Sequence, residues 1–214
     1  MEKKCLVIKN EHIFGKNNER LFYGFKEADG LDFDIESLIK EHGEYKERFG
    51  EEGMESNPNY QQIIPYIIFR HGGKFFMYER LGGGGEKRLY NLKSLGVGGH
   101  VDPGDFGTQT LMQALKREFF EEVVYEGRFE PRMVGLINEK GAGNGRDVQD
   151  VHLGVVFLVD GDNDKIDISP EEKDSNKKVG LLSCDELKQY YGQMEGWSKI
   201  VYDNFIAKIS TKKE

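Results

Sequence analysis

The chain has 214 residues, room for one large domain or one domain with an extension. Fourteen Phe and ten Tyr supply a substantial core, which excludes wholesale disorder. A net charge of -8 excludes coating of a nucleic-acid polymer, although a carboxylate site holding divalent cations can still take a small anion.

The two cysteines, Cys5 and Cys184, form no CxxC pair, so a reduced cytoplasmic protein is expected. Neither a secretory leader nor a membrane span is legible, and no membrane partner is expected.

Residues 1–60 read as an N-terminal extension, mixed and charge-rich. Asp34 to Phe49 has the apolar spacing of a helix, and Gly50 to Tyr60 the composition of a loop. This segment is expected to cover an edge of the main domain or to form a homodimer contact. Residues 61–214 read as the main domain.

That domain opens on Gln62 to Phe69, a buried strand in which Pro65 suggests an edge or bulge. His71-Gly72-Gly73 is a turn, and Lys74 to Arg80 the returning strand of a hairpin. Gly82 to Gly85 reads as a mobile turn: Glu86 precedes Lys87 and no Ser or Thr follows, so the phosphate-loop pattern fails. Leu95 to Val101 is a glycine-rich strand.

Residues 108–124 carry the strongest helical signal, with Thr108 the expected N-cap. Leu111, Leu115, Phe119 and Val123 form its apolar stripe. Glu118, Glu121 and Glu122 stand at i, i+3 and i+4, on one neighbouring face. Carboxylates so crowded repel one another unless cations neutralise them, and Mg²⁺ wants such hard oxygen ligands. The alternative is a solvated acidic face with Arg117 paired to Glu121.

Strands follow at Met133–Asn138 and Val151–Val159. Asp160 to Asp164 begins like a calcium loop, but Lys165 stands where glycine is required, which favours a solvated turn. Ser183 and Glu186 form a capping box. Trp197, Val201, Phe205 and Ile209 recur every four residues, the stripe of an amphipathic terminal helix. The order of elements implies an α/β domain with a mixed β-sheet.

Gly96 to Asp105 leads into the acidic helix through a turn at Pro103-Gly104, and Gly98 and Gly99 leave the main chain open to a metal or phosphate. At these residues the sequence resembles the Nudix (MutT-like) hydrolase family. Gly99 and Asp105 are followed by Arg117-Glu118-Phe119-Phe120-Glu121-Glu122-Val123-Val124-Tyr125, in the order of the family's box. Asp105 replaces a Glu, Val124 a Gly, and eleven residues rather than seven precede Arg117, so the loop before the helix is expected to be longer.

The resemblance covers about residues 60–210. It implies an α/β/α sandwich and a metal-dependent hydrolase cleaving a pyrophosphate bond in a nucleoside diphosphate linked to another group. Glu118, Glu121, Glu122 and the Gly98 carbonyl would hold Mg²⁺, with Mn²⁺ as an alternative. Glu118 would be a ligand or the base, with Glu139, Glu171 and Glu172 as other bases, and Arg117 would orient the glutamates. Arg80, Lys93, Gly99 and His100 are expected to meet the small nucleotide-like diphosphate. The competing readings are a silent nucleotide sensor and, of the same fold, an isomerase of isopentenyl diphosphate. The three retained glutamates disfavour the sensor, and the lack of a cysteine near the box disfavours the isomerase.

Overall fold

The computed structural model describes residues 3–82, 87–139 and 148–211. Most of the Gly82–Gly85 turn lies outside them. In chain order the elements are β1 (Lys4–Lys9), α1 (Asn10–Phe14), β2 (Gly24–Glu27), α2 (Ile35–His42), β3 (Glu44–Glu47), β4 (Tyr60–His71), β5 (Lys74–Arg80), β6 (Lys93–Ser94) and β7 (Gly96–Gly98). There follow α3 (Thr110–Glu122), β8 (Val123–Tyr125), β9 (Pro131–Asn138), β10 (His152–Asp160), β11 (Ile166–Ile168), β12 (Asn176–Leu182), α4 (Cys184–Lys188), α5 (Gly196–Val201) and α6 (Ala207–Thr211). The class is α/β, as the sequence implied. The chain divides into two compact units, and β4, β9, β10 and α3 contribute residues to both.

The first unit comprises Met1–Tyr66, Gly99–Lys116 and Met133–Val156. Its first strand, β1, pairs antiparallel with β3, Leu6 opposite Tyr45, and with the start of β4, Val7 opposite Gln62. β2 pairs with β9, Phe25 opposite Ile137. Cys5, Val7 and Met54 pack together with Tyr60. The helix expected over 34–49 is shorter. Asp34 caps it by accepting from the Ser37 N–H, and it stops at Gly43, where a Cβ would clash with the Ile39 carbonyl. Glu44 to Glu47 then satisfy their backbone groups in the ladder with β1 instead.

The second unit comprises Ile67–Gly98, Arg117–Arg132 and Phe157–Glu214. The expected hairpin is present: His71 faces Lys74, and Gly72 and Gly73 take φ of 56° and 79°, the left-handed pair that a tight hairpin turn requires. β5 continues into pairings with β12 (Phe76 opposite Leu181) and β6 (Tyr78 opposite Ser94).

Three further sequence-level expectations are modified. The acidic helix begins at Thr110, not after Thr108, and ends at Glu122. Val123, Val124 and Tyr125 leave it for β8, where branched and aromatic side chains pair with β11. Of the strand expected over 95–101 only Gly96–Gly98 (β7) is extended in the sheet, with the short β6 just before it. The terminal helix contains a π-helical segment, Tyr202–Ile206, whose wider turn moves the buried face from Phe205 and Ile209 to Tyr202 and Ile206.

The Ser183–Glu186 capping box forms as expected. Asp162 in the calcium-like turn accepts from the Tyr125 hydroxyl at 2.7 Å and the Arg128 N–H at 3.2 Å, so it serves as a turn anchor. Among the described residues no helix is long and apolar enough to cross a membrane.

Candidate active site

The second half of α3 projects its glutamates around a fixed aromatic anchor. Phe119 is fully buried, its ring 4.9 Å from that of Phe129 and 6.4 Å from that of Phe69. With that side chain pinned, the helical period sets the others. Arg117 Nη1 donates to Glu118 at 2.8 Å and to Glu121 at 3.1 Å, so one guanidinium ties two carboxylates. The Glu118 side chain is 13% exposed and that of Glu121 59%, which puts Glu118 inside the site and Glu121 at its rim. Ser169 secures the helix end: its hydroxyl donates to the Glu121 carbonyl and its N–H to the Glu122 carbonyl, two acceptors a helix terminus otherwise leaves unmet.

Glu122 turns toward the strands. Its Oε2 lies 3.4 Å from the Tyr78 hydroxyl, which is also 3.0 Å from the Gly96 carbonyl. One phenolic proton serves one acceptor at a time. A neutral Glu122 can donate to Tyr78 while Tyr78 donates to Gly96; an ionised Glu122 draws the phenol proton to itself. Burial pushes the Glu122 carboxyl up to about 7, Arg80 opposes the rise, and Glu118 and Glu172 add to it.

A hidden network holds the strand end beneath this carboxyl. Buried Glu195 lies 2.6 Å from the Ser94 hydroxyl and accepts from the Ser198 hydroxyl at 3.1 Å. Ser198 in turn accepts from the Leu95 N–H at 2.9 Å. Ser94 also stands 2.8 Å from the Gly96 carbonyl. Arg80 lies over the Tyr78 ring, 5.2 Å from its centroid, and 3.9 Å from Glu195. Little in the chain pointed to Tyr78, Ser94, Glu195 or Ser198. Tyr78 sat in an apolar strand and the others were isolated polar residues.

The residues expected to meet substrate divide. Arg80 stands beside Glu122, whereas Lys93 is buried, 3.6 Å from Glu79 and over the Tyr190 ring. Lys93 is thus occupied inside the fold. Gly98 ends β7, two residues past the carbonyl that Tyr78 and Ser94 approach. Gly99 and His100 belong to the first unit, where His100 is kept neutral by burial and by Arg48. Of the other base candidates, Glu172 accepts from Asn176 at 3.2 Å and its charge reaches Glu122. Glu139 directly follows β9 in the first unit. The loop before α3 runs over residues 106–109. Asp105 beneath it is buried, accepting from the Asp102 N–H at 2.8 Å.

The donor set is chemically coherent. A half-buried carboxylate, a second carboxyl that burial drives toward its proton, and nearby main-chain carbonyls are hard oxygen donors. A divalent cation would replace the proton and relieve the repulsion. These residues therefore fit Mg²⁺-type ions.

No family model matches the sequence. Protein YmaB of Bacillus subtilis (strain 168) is 31% identical over 213 residues, spanning 95% of this chain and 97% of its own. The crystal structure of Tm1382, a protein placed among the Nudix hydrolases, superposes with a TM-score of 0.75 at 30% identity, covering 96% of this chain and 100% of that one. DR0079 from Deinococcus radiodurans matches at a TM-score of 0.52 and 15% identity over 82% of this chain and 98% of that one, a likeness of fold.

Proposed function

The chain belongs to the Nudix hydrolase family, and we propose that it uses Mg²⁺ to cleave the pyrophosphate bond of a nucleoside diphosphate linked to another group. The observation that carries this reading is the Glu122 carboxyl, desolvated at the end of α3 with Glu118 beside it and the Gly96 carbonyl within reach of the same Tyr78 hydroxyl. A buried acid so placed is costly to a fold, and holding a cation explains its retention.

Glu118, Glu121 and Glu122 would hold the metal, with the Gly98 carbonyl as a further donor at the strand end. The bound ion supplies charge neutralisation on the diphosphate and lowers the pKa of a water. Arg117 fixes Glu118 and Glu121 so that they need not reorganise when the charge develops. Glu118 and Glu172 are near enough for their charges to act on Glu122, and we take them as the candidate bases for the attacking water. Arg80 offers a fork to phosphate oxygens from beside the same carboxyl.

The test is a panel of sugar nucleotides, dinucleotides, oxidised nucleotides and coenzyme diphosphates, incubated with Mg²⁺ and with EDTA. Phosphate-ended products that appear only with metal support the reading. Tight binding without cleavage of any member would replace it with a nucleotide sensor.

A further inference from the structure

A second donor cluster lies in the first unit and is chemically unlike the glutamate helix. Glu55, His100 and His152 each bring one ligand atom to within 4.8 Å of the other two. Glu55 sits in the short 3₁₀ turn Met54–Ser56, His100 follows β7, and His152 opens β10. The two imidazole rings stand 5.5 Å apart between centroids, inclined at 73°. His152 is buried, and the other two are half-buried.

The carboxylate is held before any ligand arrives. Arg48 Nε pairs with Glu55 Oε1, and the Glu55 N–H donates to the Arg48 carbonyl at 3.1 Å. Outer hydrogen bonds of this kind orient metal-ligating side chains. Two imidazoles and one carboxylate do not suit Mg²⁺, which demands oxygen ligands. They match the nitrogen and oxygen donors of a borderline divalent ion such as Zn²⁺.

We propose that Glu55, His100 and His152 bind one Zn²⁺, with the fourth position open to water. The ligands come from three distant stretches of chain. The ion therefore clamps the 3₁₀ turn to the start of β10 and to the segment after β7, and its binding energy adds to folding stability.

The full-length protein, stripped with chelator, is titrated with Zn²⁺ in saturating Mg²⁺, with uptake and thermal midpoint recorded. One equivalent is expected to bind and raise the midpoint. Glu55→Gln and His100→Asn should each weaken uptake by more than about tenfold. The double variant Glu121→Gln/Glu122→Gln should keep it, which separates this site from the glutamate helix. In the unaltered protein, imidazole NMR signals should shift with Zn²⁺ and not with Mg²⁺, a readout independent of how any variant folds. Absence of Zn²⁺ uptake, uptake indifferent to both triad substitutions, uptake lost in the double variant, or unmoved imidazole signals would each overturn the proposal.

Discussion

The end of α3 and the Glu55–His100–His152 triad gather candidate ligands by opposite routes. On α3 the spacing of a single helical turn brings Glu118, Glu121 and Glu122 together, and one arginine holds two of them. The triad depends on a 3₁₀ turn, a loop and a strand that only the folded chain brings near. The first cluster is all oxygen, and burial raises its Glu122 carboxyl to about 7. The second is mostly imidazole, and burial holds its His100 neutral. One cluster is thus suited to a hard ion with exchangeable waters, the other to a resident softer one.

The sharpest way to break this contrast is Glu122→Gln. Turnover should fall by at least about a hundredfold, the scale of losing a group that handles metal or proton. At pH 8 in EDTA the same variant should be more stable than the parent by about 1–3 kcal/mol, because the neutral amide removes a buried charge. Its carboxyl is raised to about 7 from 4.5, so the stability it contributes is complete below about 4.5 and lost as pH rises through 7. Denaturant melts with and without Mg²⁺ measure both effects. A less stable, fully active variant would refute the assignment.

Arg117→Lys probes the tie between the inner and rim carboxylates. A lysine offers a point charge and no fork, so kcat should drop about tenfold with folding preserved, as steady-state kinetics and circular dichroism would report. Ser198→Ala removes the acceptor of the Leu95 N–H and a donor to Glu195. It should cost about 1–3 kcal/mol of stability by urea unfolding, with a smaller effect on turnover.

The mildest expectation concerns Cys5. It is buried, its thiol pushed up from 9.0 to about 12, while Cys184 is half-buried. At pH 8 a thiol reagent should label Cys184 and spare Cys5 until the protein unfolds. Because the Cys5 value is raised, its contribution is intact below about 9 and lost as pH climbs toward 12. Early labelling of Cys5 in the native protein would show that β1 opens.

Local physics made much of the molecule legible in its sequence. The 3.6-residue period placed Glu118, Glu121 and Glu122 on one face, the paired glycines set the hairpin, and the Ser183–Glu186 spacing built its cap. What the sequence could not assign was burial. Glu121 and Glu122 are adjacent and chemically identical, yet one lies exposed at the rim and the other has its carboxyl against Tyr78. Lys93 had the charge of a surface residue and is enclosed by Glu79 and Tyr190. The Ser94–Glu195–Ser198 network and the Glu55–His100–His152 triad join residues far apart along the chain. Desolvation and long-range pairing depend on what the rest of the chain places overhead. The sequence therefore determined which side chains could bind a cation, and tertiary packing decided which of them are dry enough to need one.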